Sequence, residues 1–239
     1  MFKGASLLEL LPYINAVNDR WSSNMGNNIK ILRPKFSNNL LLMDISQQDM
    51  AKDSSFSEGI VKDCYIENCK AEGVSFKEIS FKNVIFAEVS LQNAELIDLR
   101  FENCDLSNVD FRESTIHRVE FINCKLVGIN LSDATLRNVI FEECNGQYAF
   151  LKFSDCKQVL FINCKLRFSD FQESKLSKVE FRNTDLIQCQ LSGTKLSGID
   201  LCTCEIDGLS ARIEDVYGVI VTPAQAITLS TLMGIVIKV

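Results

Sequence analysis

The chain has 239 residues, 46% of them hydrophobic and 23% charged, with a formal net charge of −6 and a sequence pI near 5.0. That balance excludes a disordered polar chain, and no apolar run approaches the ~20 residues needed to span a bilayer. The first residues, "MFKGASLLELLPYINA", hold a single lysine, with Glu9 and Pro12 inside the apolar stretch, which makes a poor signal peptide. A cytoplasmic location is expected.

Residues 1–60 do not repeat. Between Ser6 and Met25, apolar residues at Leu7, Leu10, Leu11, Ile14, Val17 and Trp21 fall mostly three or four apart. This spacing predicts one helix, or two broken near Pro12. "IKILRPKF" (29–36) and "NNLLLMDI" (38–45) read as two short strands around a Pro-containing turn, and "SQQDMAKDSS" (46–55) as a polar connector.

From Val61 to Ile206 a five-residue beat never slips. Of its 30 positions, 27 are Leu, Phe, Ile or Val, and the exceptions are Ala71, Gly146 and Cys156. Two residues before each centre runs a second column of small or β-branched residues, with Leu99 the one misfit. Neither a helix (period 3.6) nor an ordinary strand (period 2) produces this pattern, so the chain is read as a solenoid. A twenty-residue superperiod is also present: positions 81, 101, 121, 141, 161 and 181 are Phe and 201 is Leu. Cys recurs at 64, 104, 124, 144, 164 and 204. An open solenoid end exposes strand edges and apolar ladders, so residues 1–60 are expected to cap the first coil. A ligand-binding role for that segment is the other reading.

All ten cysteines lie within the repeat: eight in the small inward column, Cys156 at a centre, and Cys202 outward. Their spacing suits neither zinc nor a disulfide framework, so they read as reduced core residues, and no metal or cofactor is implied.

Residues 209–239 follow the repeat. In "VTPAQAITLSTLMG", Thr222 suits a helix cap, Pro223 its first turn and Gly234 its stop. Ala226, Leu229, Leu232 and Met233 lie along one stripe, and "GIVIKV", beginning at Gly234 and including Ile235, reads as strand-like. Apolar surface left over from covering the last coil would favour a two-fold homodimer.

Pentapeptides such as "CDLSN" (104–108), "SDFQE" (169–173) and "TKLSG" (194–198) resemble the pentapeptide-repeat proteins, over about 146 of the 239 residues. Within that family the chain is similar to the quinolone-resistance members that bind DNA gyrase, including the layout of residues 207–239. The resemblance implies an all-β solenoid, a right-handed quadrilateral β-helix of four pentapeptides per coil. It also implies three parts: a capping segment (1–60), the β-helix (61–208), and a C-terminal cap with a dimerisation helix (209–239). As function it implies occupation of the DNA-binding saddle of DNA gyrase or topoisomerase IV, with protection against quinolone-type poisons.

The surface can be sorted by face. The net charge of −6 lies on the repeat, with 17 basic and 23 acidic residues. Three faces are net negative. The fourth, around 76/96/116, is net positive through Lys77, Arg118, Arg137, Lys157, Lys175, Lys178 and Lys195. Glu102, Glu120, Glu142, Glu143, Glu180 and Asp200 form an acidic row that a groove lined against phosphates could accept as a DNA mimic. Plain solvation of an acidic protein is the other reading. Direct nucleic-acid binding is not expected, because the basic face is narrow and interrupted by acidic residues.

In "NGQYAFLKFSDC" (145–156), Gly146 replaces the expected large residue and Tyr148, Phe150 and Phe153 fall outward, with Phe168 one coil above Tyr148. These four form either a contact patch for a partner or a distorted coil in which an aromatic fills the gap over Gly146. Outward Ile122, Ile140, Leu160 and Ile162 form a second apolar area open to the same two readings. Catalysis finds no support: the single His117 has no placed nucleophile, carboxylates are scattered, and phosphate-binding and dinucleotide motifs are absent. The reading is a non-enzymatic protein-binding β-helix with no small-molecule substrate. The alternative is a scaffold or immunity protein whose partner is unrelated to topoisomerases.

Overall fold

The computed structural model describes residues 29–38, 40–45 and 50–238, and Ile31–Val239 form one compact unit. The helix expected within Ser6–Met25, and residues 46–49 of the connector, lie outside the described residues.

Among the described residues there are ten strands: β1 (Leu41–Leu42), β2 (Ser55–Lys62), β3 (Tyr65–Lys70), β4 (Ser75–Lys82), β5 (Ile85–Ser90), β6 (Glu95–Glu102), β7 (Thr115–Ile122), β8 (Thr135–Glu142), β9 (Asp155–Ile162) and β10 (Lys175–Arg182). The long sheet runs β1-β2-β4-β6-β7-β8-β9-β10, all parallel, while β3 and β5 pair separately. From β2 onward the register advances by twenty residues per strand: Phe81 pairs with Phe101, then Phe121, Phe141, Phe161 and Phe181. Single bridges such as Asp105 to Lys125 and Asp110 to Asn130 continue the ladder on the other sides. The result is a parallel β-solenoid of about seven turns.

The five-residue beat has a backbone cause. The residue two past each centre, Thr203 excepted, has a positive φ, between 47° and 61° where it is not glycine, and this left-handed residue bends the chain at the corners. Asn is the commonest occupant of that position, as expected of a residue that tolerates the left-handed region. Asn side chains also stack from coil to coil there: Asn103 Nδ2 donates to Asn83 Oδ1 at 3.3 Å and Asn123 Nδ2 to Asn103 Oδ1 at 2.8 Å.

The interior is a set of ladders. Phe rings from 81 to 181 stack with centroids 4.8–5.0 Å apart and planes within 6°. The small column does more than fill space. Cys124, Cys144 and Cys164 thiols donate to the carbonyls of Phe101, Phe121 and Phe141 on the preceding coil at 3.3–3.4 Å. Thr184 and Ser114 hydroxyls do the same toward Phe161 and Leu91. Cys, Ser and Thr therefore share one role there, that of a small inward side chain with a donor. All ten cysteines are free thiols. Burial pushes Cys156 up to about 11 and Cys189 to about 12, so both thiols stay protonated at neutral pH.

The repeat backbone starts earlier than Val61, since Ser55 already pairs with Ser75. Below it, Met43 N–H donates to Ile60 O at 2.8 Å, and Ile45 and Met50 join the core. Gly59 sits under Met43, where a Cβ would come 2.7 Å from Met43 Cε. Residues 41–45 and Met50 thus lie over the first coil.

The two strands expected over 29–45 shrink to Leu41–Leu42. Pro34 cannot donate to a ladder, and the Leu32 and Lys35 N–H groups go to side chains of the solenoid surface instead.

At the far end, α1 (Pro223–Ser230) continues into a short 3-10 turn, Thr231–Met233, and stops at Gly234 with φ 72°. Thr222 and Gln225 form a capping box. The Gln225 amide also donates to Leu201 O at 2.8 Å and Cys204 O at 2.7 Å, covering carbonyls of the last coils. The strand-like reading of residues 234–239 fails over 234–238, which pair with no other strand.

Phe121→Ala is expected to cost about 3–5 kcal/mol in urea unfolding, because rigid ladders above and below cannot collapse into the cavity. Gln225→Ala is expected to cost about 1–3 kcal/mol by leaving two carbonyls and a cap unsatisfied.

Candidate partner-binding surface

The acidic row does not form a bare anionic stripe. Glu120 is 1% exposed. Its carboxylate accepts from Arg100 Nη2 at 2.6 Å and from Arg33 Nη1 at 3.2 Å. Glu102 is paired with Lys82 at 3.1 Å, and Glu180 with Arg182. Glu142 is half-buried, and burial together with neighbouring Glu143 pushes its carboxyl above the ordinary range. Of the six, only Glu143 and Asp200 are exposed. The fourth face is likewise partly neutralised: Arg118 grips Asp98 through two bonds of 2.5–2.6 Å, and Arg137 grips Asp155 at 2.5 Å.

A non-repeating segment lies across this side. Leu32 N–H donates to Asn138 Oδ1 at 3.0 Å and Lys35 N–H to Asp98 Oδ1 at 2.9 Å, with Arg33 on Glu120 between them. Asn138 and Asp98, at outward positions, are 7% and 3% exposed. Ile140, Leu160 and Ile162, expected as an open apolar area, are buried, and Ile122 is half-buried. The sequence offered no signal for which outward residues would be covered, because the repeat marks them all alike. Although desolvation opposes ionisation, the Arg118 guanidinium and the Lys35 N–H hold the Asp98 carboxyl below the usual range.

The aromatic patch is open and spans two corners, with Tyr148 and Phe168 in one column and Phe153 at the next. Tyr148, Phe150, Phe153 and Phe168 are 51%, 43%, 58% and 41% exposed. Tyr148 and Phe168 stack at 5.0 Å with planes 5° apart. The distorted-coil reading fails, because Leu166 fills the space over Gly146: a Cβ on Gly146 would come 2.8 Å from Leu166 Cδ2. Tyr148, Phe153 and Phe168 all have φ of 58–60°, a conformation that disfavours bulky side chains.

At the C-terminal end Leu229 packs against the core and Leu232 is half-buried, so they offer little to a partner. Ala226, Met233 and Ile235 are exposed, joined by Ile213, Tyr217, Ile220, Ile227, Val236 and Ile237. Ile227 escaped the helical-stripe argument, since a short helix followed by a 3-10 turn does not keep one stripe, and Tyr217 lies before the helix altogether.

His117 lies beside Arg118, and burial plus that guanidinium lower its pKa, so the ring stays neutral at physiological pH. Among the described residues, no group of three or more His, Cys, Asp or Glu is placed to hold a metal, and no helix is long and apolar enough to cross a membrane.

The fold and its surface define a parallel β-solenoid whose chemistry is displayed on its outer faces. A family model for a pentapeptide repeat region matches residues 94–161, and one for pentapeptide repeats in eight copies matches 164–201. Residues 94–161 and 164–201 thus carry pentapeptide repeats. Among solved structures it is similar to HetL, a pentapeptide repeat protein involved in heterocyst differentiation regulation from the cyanobacterium Nostoc. The identity is 14%, over 71% of this chain and 90% of that one, with a TM-score of 0.46. It is also similar to a trypsin-treated form of QnrB1, a plasmid-mediated fluoroquinolone resistance protein, at 20% identity over 84% of this chain and 99% of that one, with a TM-score of 0.36. No curated protein sequence matches it.

Asp98→Asn tests the buried carboxylate. A depressed pKa contributes stability above the ordinary carboxylate range that is lost as pH falls through the folded value. The variant is expected to be less stable at pH 7 and to lose less between pH 7 and pH 3, read from urea midpoints at both. Phe153→Asn is expected to raise stability by about 1 kcal/mol by relieving a strained exposed aromatic, read from the same unfolding curve.

Proposed function

We propose that this chain is a non-enzymatic protein-binding solenoid whose contact surface includes the aromatic corner. The observation that carries this reading is that three bulky aromatics occupy left-handed corner positions while remaining exposed. Such residues cost stability and bury little within the chain, so a partner that covers them supplies the compensation. Tyr148 and Phe168, already stacked, present a flat platform at little further cost in side-chain entropy.

For the partner we propose a type II topoisomerase, DNA gyrase or topoisomerase IV, with protection against quinolone-type poisons. Support comes from the resemblance of the repeats and of residues 207–239 to the quinolone-resistance members, and from three net-negative faces. Mimicry of DNA would use Glu102, Glu142, Glu143, Glu180 and Asp200. Glu120 would join them only if Arg33 left it. The exposed apolar end from Ile213 to Ile237 supports a homodimer through the C-terminal cap, and free thiols suit a cytoplasmic setting. The neutralised acidic row favours a second reading, a scaffold or immunity protein with an unrelated partner.

Gyrase supercoiling with a fluoroquinolone present, titrated with the purified protein, separates these readings. Rescue of supercoiling is expected, and reversing Glu102, Glu142 and Glu143 to Lys is expected to abolish it while leaving the circular dichroism unchanged. Absence of both rescue and inhibition at high concentration would overturn the topoisomerase reading. A pull-down comparing the wild type with a Tyr148→Asn, Phe153→Asn, Phe168→Asn variant then tests the corner itself.

A further inference from the structure

Two carboxylates and an amide at outward positions of three successive coils are buried: Asp98, Glu120 and Asn138. Each accepts a hydrogen bond from the segment 31–36, "ILRPKF", at Lys35 N–H, Arg33 Nη1 and Leu32 N–H respectively. The spacing fits an extended chain. From Leu32 to Lys35 is three residues, or roughly 10 Å at ~3.3 Å each, and two coils at ~4.8 Å each span the same distance. Pro34 holds the segment extended, and its missing N–H falls between the two donors that are used. The chain therefore crosses the coils from 138 to 98, opposite to their order in the sequence.

The two sides of this contact differ in kind. The receiving groups belong to the rigid solenoid and are oriented before anything docks: Arg100 holds Glu120, and Arg118 holds Asp98. The segment, by contrast, has no fully buried side chain between residues 31 and 38, and Leu32 itself is 45% exposed. Among the described residues its polar contacts to the solenoid are two backbone bonds and one ion pair, and Ile31, Pro34 and Phe36 are only half-buried. An element attached this way belongs to the low-stability end of a fold and opens without unfolding the rest.

The recognition is generic in one respect and specific in another. Asp98 and Asn138 accept backbone N–H groups, which any extended peptide offers, whereas Glu120 selects a cation and an arginine fork suits it. Net negative charge on the face around 101 and 121 adds complementarity to a basic segment.

We propose that the outer face over Asp98, Glu120 and Asn138 is a docking track for an extended, arginine-bearing segment of a partner protein, which residues 31–36 occupy in cis until displaced. This track is diagonally opposite the Tyr148 corner, and it stands or falls independently of that corner and of any topoisomerase. An intramolecular occupant competes at high effective concentration, so a partner segment must either bind more tightly or arrive tethered by a second contact.

The test uses the full chain and two variants that loosen the segment differently. Arg33→Glu replaces the ion pair with repulsion, and Leu32→Pro removes the donor to Asn138 without changing charge. Hydrogen exchange read by mass spectrometry over residues 31–36 reports release, and circular dichroism reports the solenoid. The probe is a fluorescein-labelled ILRPKF peptide, followed by anisotropy. Both variants are expected to lose protection over 31–36, keep the solenoid signal, and bind the peptide at least ~10-fold more tightly than wild type, with the peptide's arginine required. Retained protection in both variants would make the segment a fixed part of the fold and overturn the proposal. So would loss of the solenoid signal in both, release without peptide binding, or equal binding of a peptide carrying glutamate in place of arginine.

Discussion

Everything in this protein depends on the parallel hydrogen-bond ladder being kept in register at twenty residues. One residue of slippage would turn a Phe centre outward and bring a charged residue in, so the register is enforced in every coil at once. The left-handed residue at each corner makes the closed four-sided turn sterically achievable, and the stacked Phe and Asn columns reward keeping equivalent residues superposed. Because each coil contacts only its neighbours, stability is close to a sum of local terms, and the two ends carry the unpaid edges. The Gln225 amide at one end and the strand Leu41–Leu42 at the other address that same problem.

The thiol and hydroxyl column illustrates how the ladder selects residues. Directly inside the corner there is room for a small side chain, and a carbonyl of the preceding coil lies within reach. Cys144, Thr184 and Ser114 meet both conditions with different chemistry. Val119, Val139 and Val159 occupy the equivalent column on the Phe face, where long strands provide regular pairing and a β-branched side chain packs well. The cysteines of this column are therefore structural, and burial keeps the Cys156 and Cys189 thiols protonated.

A rigid lattice of this kind frees its surface for function, since outward residues contribute little to the register. The cost appears only where a residue fights the corner conformation. Tyr148, Phe153 and Phe168 do so without burial in return, and Arg118 does so while tying down Asp98. The first case faces solvent and the second faces the segment 31–36. The Tyr148–Phe168 column and the Asp98–Arg118 column thus lie at opposite corners of one regular scaffold and carry different chemistry.

How much could be read from the sequence follows from what repeats. The spacing of Phe81, Phe101 and Phe121 fixed the coil length, and the column of Cys, Val and Ser fixed which side faced in, because each position experiences the same environment in every coil. The capped helix was legible in Thr222, Pro223 and Gly234, whose preferences are local. What repeats could not show is where non-repeating chain lies on them. Only the tertiary structure placed Arg33 on Glu120 and Leu32 on Asn138, through contacts 87 and 106 residues apart that no local pattern encodes. It also decided that Leu166, not an aromatic, fills the gap over Gly146. That choice rests on packing volume between coils, so the four aromatics stay outside.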